Sequence, residues 1–211
     1  GDHLAVGPEE DAVGVRPGEG RVGHAGRQGR EFEAPADGRG VVHRADRRGA
    51  RLAAGIGEGG DYTVKDLLHG LILSSGNDCA HALAQALGGD EAALKKVNEL
   101  AKKLGTRSTV AASYHGLDAT GMSTSAADIS LIYRAAFSNE TFARIVDTEH
   151  VDFPGWKDLP GYELWNDNGL YLNDPEGIGG KTGYTEDAHH TFVGAIDHDG
   201  RRLQAVILDT T

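Results

Sequence analysis

The sequence changes character near residue 60, and this change restricts where a stable core can form. Residues 1–60 contain 15 of the 31 glycines and 9 of the 14 arginines, but no Lys, Ser, Thr, Asn or Tyr. Because a glycine inside a helix costs about 1 kcal/mol relative to alanine, helices are not expected there. Two explanations stay open, a disordered Gly/Arg-rich tail and a GC-rich gene read out of frame. We therefore divide the chain into an anomalous segment, 1–56, and a folding domain, 57–211.

Charge and composition exclude several classes of protein. The net charge of −11 argues against a nucleic-acid partner, which would require a positively charged surface. The single cysteine, Cys79, excludes an internal disulfide and a cysteine-based zinc site. No run approaches eighteen apolar residues, so no membrane segment is predicted, and the start of the chain has no signal-peptide pattern. An acidic globular protein remains.

Helix signals begin at residue 63. Thr63 and Asp66 have the spacing of a capping box, and apolar residues follow at helical spacing. Asp90 is predicted to cap a later helix, and Ser125 and Asp128 again have capping-box spacing. Together these patterns predict five helices, at about 64–73, 77–87, 90–105, 125–137 and 139–146.

Strand signals dominate after residue 148. Segments 191–196 and 202–208 flank Asp199-Gly200, a dipeptide that suits the positive φ angles of a tight hairpin turn. Segment 177–183 is predicted to form a further strand beside this hairpin. Helices followed by antiparallel strands indicate an α/β (α+β) fold, in which a helical cluster packs on an antiparallel sheet.

Several possible chemistries fail on sequence grounds. Gly180-Lys181-Thr182 resembles the end of a phosphate-binding loop, but position 175, where that motif requires glycine, is proline. The histidines form no metal-binding motif, and the adjacent His189 and His190 would point to opposite faces of a strand. Cys79 lies in an apolar helical stretch, which predicts a buried structural thiol. No cofactor and no metal are predicted.

Two short motifs remain, Ser75-Gly76-Asn77 in a helix-to-helix connection and Lys181-Thr182-Gly183 on a predicted strand. In this order they resemble the second and third elements of the penicillin-recognising serine enzymes, whose set is S-x-x-K, S-x-N and K-T-G. The flanking sequences make the resemblance more specific, to the D-alanyl-D-alanine carboxypeptidases of peptidase family S11 over about residues 57–211. The flanks that carry it are 62–68, 71–78, 115–118, 177–185 and 199–203.

The resemblance implies a β-lactamase/transpeptidase-like fold and a serine-type hydrolase. Such an enzyme removes the terminal D-alanine from peptidoglycan stem peptides that end in D-Ala-D-Ala, through an acyl-enzyme, and β-lactams inhibit it. It also implies an extracytoplasmic location, in the periplasm or at the cell surface. The implied catalytic residues are Ser75, Asn77 and Lys181, and the implied substrate-binding residues are Lys181, Thr182, Gly183 and Tyr184.

Each implied role has a chemical reason. The Ser75 hydroxyl would relay a proton towards the leaving amine, and the Asn77 amide would hydrogen-bond the substrate backbone. Lys181 and the Thr182 hydroxyl would attract and bind the terminal carboxylate of the substrate. Absence of a side chain at Gly183 would let the substrate approach the strand, and the backbone N–H of Tyr184 would stabilise the oxyanion.

The sequence departs from the family pattern in its first motif. No serine precedes Ser74, and no Ser-x-x-Lys occurs anywhere in the chain. The usual nucleophile and its lysine base are therefore missing, and so is the closing helix expected after Leu208. From these departures we expect a partial catalytic domain that is inactive as written. Two alternatives stay open: a non-catalytic module that binds peptidoglycan peptides or β-lactams, and a polypeptide that does not fold stably.

Overall fold

The computed structural model describes residues 53–210. Its helices are α1 (Val64–Ser74), α2 (Asn77–Ala86), α3 (Asp90–Lys103), α4 (Ala126–Phe137), α5 (Glu140–Val146) and α6 (Gly169–Asn173). Its strands are β1 (His150–Phe153), β2 (Tyr162–Trp165), β3 (Gly177–Thr185), β4 (His189–His198) and β5 (Arg201–Thr210). All but the last four residues of the predicted anomalous segment lie outside the described residues, so its nature stays a prediction.

The first predicted helix cap is confirmed. The backbone N–H of Asp66 donates to Thr63 Oγ1 at 2.9 Å, and the backbone N–H of Thr63 donates to Asp66 Oδ2 at 2.8 Å. The predicted cap of α3 is wrong. Gly89 occupies the N-cap position with φ of 100°, and Asp90 is the first helical residue. A carboxylate in the first turn still favours the helix, because it faces the positive end of the helix dipole.

The cap of α4 forms only half of the expected box. Ser125 Oγ accepts the backbone N–H of Asp128 at 3.2 Å, as predicted. The Asp128 carboxylate does not return to Ser125 but accepts hydrogen bonds from the segment 107–109. The Asp128 carboxylate therefore makes a tertiary contact with the segment 107–109 in place of the local hydrogen bond to Ser125 that the sequence spacing predicts.

The main sheet contains β3, β4 and β5 in that order, all antiparallel. The turn between β4 and β5 has positive φ at both central residues, 51° at Asp199 and 75° at Gly200, which confirms the predicted hairpin. Pairing of β3 with β4 shifts register between Gly177 and Gly180, where Gly179 has φ of 105°. The separate β1–β2 hairpin and α6 were not predicted from the sequence.

The helices pack on the sheet as the sequence predicts, with α4 lying against β4 and β5. The helix α6, which was not predicted, lies against β3. The main core lies between α1, α2, α5 and the β1–β2 hairpin, around Tyr62, Leu67, Leu73, Cys79 and Phe153, which are at most 2% exposed. It also contains Ala54 and Ile56, so packed structure begins ahead of residue 57. Within residues 53–210, no helix is both long and apolar enough to cross a membrane.

Candidate active site

An open cleft of about 650 Å³ lies between the α1–α2 turn, the loop that precedes α4, and β3. Both sequence motifs contribute to its wall. The residues of those motifs and of their flank that line it are Ser75, Asn77, Lys181, Thr182, Gly183 and Tyr184. The structure therefore brings the six predicted site residues to one cleft. The roles assigned to them stay predictions.

Ser75 has a backbone conformation that its position at the end of α1 requires. It is the C-cap of the helix with φ of 58°, in the left-handed region that a non-glycine residue seldom adopts. The backbone N–H groups of Ser75 and Gly76 both donate to the carbonyl of Gly70, which closes the helix end. This turn holds the Ser75 hydroxyl in the cleft and starts α2 at Asn77.

Lys181 lies on β3 opposite Val193 of β4, and its side chain crosses to the α1–α2 turn. Its ammonium donates a hydrogen bond to Ser75 Oγ and another, of 2.8 Å, to the carbonyl of Thr182. Burial lowers the pKa of Lys181, and the nearby Asp167 carboxylate opposes this effect in part. Lys181 is thus a partly desolvated cation whose proton is held less tightly than that of an exposed lysine.

The other residues of β3 differ in what they present to the cleft. Thr182 Oγ1 donates to Asp167 Oδ1 at 3.3 Å. A Cβ at Gly183 would lie 2.6 Å from Thr191 Oγ1, so a side chain there would require the Thr191 hydroxyl to move. The Tyr184 side chain is 53% exposed, and its ring lies 4.8 Å from that of His190.

Two buried carboxylates that the sequence analysis gave no site role support the walls of the cleft. Asp78, next to Asn77, accepts the backbone N–H groups of residues 54–56 at 2.9, 2.9 and 3.1 Å. It also accepts the backbone N–H of Cys79 at 2.9 Å, but it does not cap α2, whose N-cap is Gly76. Asp78 thereby fixes the segment that packs beneath the α1–α2 turn.

Asp128 supports the opposite wall. Its carboxylate accepts the backbone N–H groups of Arg107 and Ser108 and, at 2.8 Å, the hydroxyl of Thr109, which lines the cleft. Burial acts to raise the pKa of Asp128, but these hydrogen bonds outweigh it and hold the pKa below its usual range. In the sequence, the one signal from Asp128 is its position three residues after the predicted cap Ser125.

A third support is the turn that joins β2 to α6. Asn166 and Asn168 are buried, and Asn166 Nδ2 donates to the carbonyl of Thr148 at 3.0 Å. Asn168 Oδ1 caps α6, and the backbone N–H of Asp167 donates to the carbonyl of Leu73 at 2.9 Å. The Asn-Asp-Asn run signals a turn in the sequence, but nothing in it indicates that the turn faces Lys181.

Two predictions about other residues are confirmed. Cys79 is fully buried, and burial raises the pKa of its thiol, as expected of a structural cysteine. Gly180-Lys181-Thr182 lies within a strand and not at the start of a helix, so it is not a phosphate-binding loop.

Solved structures with this architecture define the class to which the fold and the cleft belong. A D-alanyl-D-alanine carboxypeptidase from Mycobacterium tuberculosis H37Rv superposes with a TM-score of 0.75 and 39% sequence identity, covering 80% of this chain and 64% of that one. The Streptomyces K15 DD-transpeptidase gives a TM-score of 0.71 and 28% identity, covering 77% of this chain and 66% of that one. The fold is therefore that of the penicillin-binding transpeptidases and carboxypeptidases, as the sequence predicted.

Sequence comparison narrows this class to one family. The family model described as D-alanyl-D-alanine carboxypeptidase, peptidase family S11, matches residues 42–211, and the chain belongs to that family. The D-alanyl-D-alanine carboxypeptidase DacB2 of Mycobacterium tuberculosis is 44% identical over 151 residues, which are 71% of this chain and 51% of that protein. DacD of Escherichia coli is 34% identical over 154 residues, which are 72% of this chain and 38% of that protein. The chain thus spans about half, or less, of the length of these relatives.

Proposed function

We propose that the chain carries part of the catalytic site of a serine-type D-Ala-D-Ala carboxypeptidase. The substrate would be a peptidoglycan stem peptide ending in D-Ala-D-Ala, and β-lactams would bind in the same cleft. The proposed location is outside the cytoplasm, in the periplasm or at the cell surface, where such peptides occur. Family membership and the two motifs at one cleft support this proposal.

The observation that carries it is the hydrogen bond from Lys181 to Ser75. Removal of D-alanine by acyl transfer requires a proton to reach the leaving amine and donors that stabilise the oxyanion. A hydroxyl that contacts a partly desolvated ammonium suits the first task, because protons can pass between the two groups. The same ammonium attracts the carboxylate that ends the substrate, since both charges lie in a partly water-excluded cleft.

The sheet also offers a way to bind an extended peptide. β3 is at one edge of the three-stranded sheet, with β4 on its other side. An edge strand has backbone N–H and C=O groups that can pair with an added strand. Gly183 lies on this strand and lines the cleft, so no side chain at that position obstructs the approach.

The chain as written lacks the family nucleophile, and this favours a second candidate function. Without Ser-x-x-Lys, the cleft retains groups that bind a substrate but not the serine that would be acylated. The alternative is therefore a module that binds peptidoglycan peptides or β-lactams without turnover. We propose reversible binding for this 211-residue chain and acyl transfer for a family member with a complete first motif.

Three measurements on the purified chain test the proposal. A cooperative thermal unfolding transition, followed by circular dichroism, establishes that the chain folds. Titration with acetyl-Lys-D-Ala-D-Ala then reports saturable, reversible binding, which we expect to be abolished or strongly weakened in Lys181→Ala. A fluorescent penicillin is expected to leave no covalent label. A folded chain that binds neither the peptide nor the penicillin would contradict the proposal.

A further inference from the structure

We propose that Asp167 is a specificity-determining residue that weakens the preference of the cleft for ligands ending in a carboxylate. This inference rests on the proposed function, because it concerns the end of the cleft formed by Lys181 and Thr182. Asp167 does not itself line the cleft, but it acts on Lys181 and Thr182, which do.

Asp167 competes with a ligand for the hydrogen-bond donor of Thr182. Thr182 Oγ1 donates to Asp167 Oδ1 at 3.3 Å. A hydroxyl has a single proton, so while it serves Asp167 it cannot donate to the carboxylate of a ligand. A carboxylate-ended ligand must therefore break this contact or bind without the Thr182 hydroxyl.

Asp167 also adds a negative charge near the Lys181 ammonium. Asp167 lies near enough to Lys181 to act against the lowering of the pKa of Lys181 by burial. The negative charge of Asp167 that stabilises the ammonium also repels the carboxylate of a ligand that binds to this ammonium. Like charges repel over the same distances at which opposite charges attract. Asp167 thus offsets part of the attraction that Lys181 exerts on an anionic ligand. An amidated ligand carries no charge there, so this repulsion does not act on it.

The backbone of Asp167 is anchored close to the cleft. Its backbone N–H donates to the carbonyl of Leu73 at the end of α1, 2.9 Å away. Its neighbours Asn166 and Asn168 are buried and hydrogen-bonded, so the turn is fixed on both sides. The carboxylate itself is exposed, so solvent screening keeps its effect moderate.

The test compares two probes on the full chain, acetyl-Lys-D-Ala-D-Ala and the same peptide with a C-terminal amide. Dissociation constants are measured by calorimetry at low ionic strength for the unaltered chain, Asp167→Asn and Asp167→Ala. Asp167→Asn removes the charge but keeps an oxygen that can accept from Thr182, whereas Asp167→Ala removes both. Glu163→Gln is the matched control, because Glu163 is an exposed carboxylate of β2 that does not line the cleft.

We expect Asp167→Asn to bind the carboxylate peptide several-fold more tightly and Asp167→Ala about tenfold more tightly than the unaltered chain. Affinity for the amide peptide should stay the same in Asp167→Asn, which keeps an acceptor for Thr182, and should rise by a smaller factor than that of the carboxylate peptide in Asp167→Ala, where the freed hydroxyl can also donate to the amide carbonyl. Glu163→Gln should change neither affinity. An unchanged ratio of the two affinities, an equal gain for both peptides, or the same gain in Glu163→Gln would overturn the role of Asp167 but leave the proposed function standing. Failure of both peptides to bind any variant would overturn the proposed function and this inference with it.

Discussion

The Lys181 ammonium donates a hydrogen bond to Ser75 Oγ, although 106 residues separate the two in the chain. The contact joins an edge strand of the sheet to the turn between two helices, and it depends on both being held in place. Ser75 is held by the left-handed end of α1, and Lys181 by the pairing of β3 with β4.

Binding of a carboxylate-ended peptide should weaken as the pH rises. Lys181 attracts the ligand only while it is protonated, so affinity is full below the pKa of Lys181 and falls as the pH passes through it. Because burial lowers that pKa, the midpoint should lie below the usual value for a lysine. Titrations of acetyl-Lys-D-Ala-D-Ala between pH 7 and pH 11 would measure it.

Two lysine substitutions test this prediction, one at Lys181 and one, as the control, at a lysine outside the cleft. Lys181→Met should bind about tenfold more weakly at pH 7 and lose the pH-dependent step. Lys96→Met, at an exposed position of α3, should retain both the affinity and the step. A midpoint equal to that of an exposed lysine would contradict the effect of burial.

The chain should release no D-alanine from acetyl-Lys-D-Ala-D-Ala above background. Removing the nucleophile of a serine protease costs about a millionfold in turnover, because the covalent route disappears. Sequence spacing gives Ser75 no lysine three residues later, but the folded chain gives it Lys181, so Ser75→Ala is the decisive control. Turnover that this substitution abolishes would contradict the prediction and identify Ser75 as a nucleophile.

Asp128→Asn should lower the melting temperature at neutral pH by several degrees. The pKa of Asp128 is lower in the folded state than in the unfolded one, so its ionised form stabilises the fold. This stabilisation is present above the unfolded pKa of about 3.9 and is lost as the pH falls through the lower folded pKa. Thermal melts at a series of pH values should show the difference between the chain and the variant shrinking below about pH 4.

Asp152→Asn is the matched control for Asp128, since Asp152 is an exposed carboxylate on β1. It should leave the melting temperature nearly unchanged at every pH. If both variants melted alike, the hydrogen bonds of Asp128 to the segment 107–109 would not contribute to stability.

Gly180→Ala should destabilise the fold by about 2 kcal/mol or more, because a side chain there has no room. A Cβ at this position would lie 2.2 Å from the carbonyl oxygen of Val193 and 2.8 Å from Asn168 Nδ2. In contrast, a Cβ at Gly169 would meet no atom within 4 Å, so Gly169→Ala should change the stability by less than about 0.5 kcal/mol. Urea unfolding curves compare the two, and equal free energies of unfolding would show that β3 adjusts.

Local patterns in the sequence predicted most of the elements. The capping box at Thr63 and the Asp199-Gly200 turn form as predicted, because each depends on residues within three or four positions of one another. The predictions were less accurate where a distant partner competes. Asp128 has the spacing of a local cap, but its carboxylate accepts hydrogen bonds from the segment 107–109. The wrong cap of α3 is instead a local error, because Gly89 directly precedes Asp90. The β1–β2 hairpin and α6 lacked strong periodic signals because they are short.

The sequence alone determined the family, the two motifs and the order of helices and strands, since these depend on residue identity and short-range spacing. It also determined that no Ser-x-x-Lys is present. Only the tertiary structure decided that Lys181 contacts Ser75 and that Asp167 reaches Thr182, because both contacts join segments that are distant in the chain. The lowered pKa of Lys181 was decided there too, since desolvation depends on everything that packs around a charge and not on its neighbours in sequence.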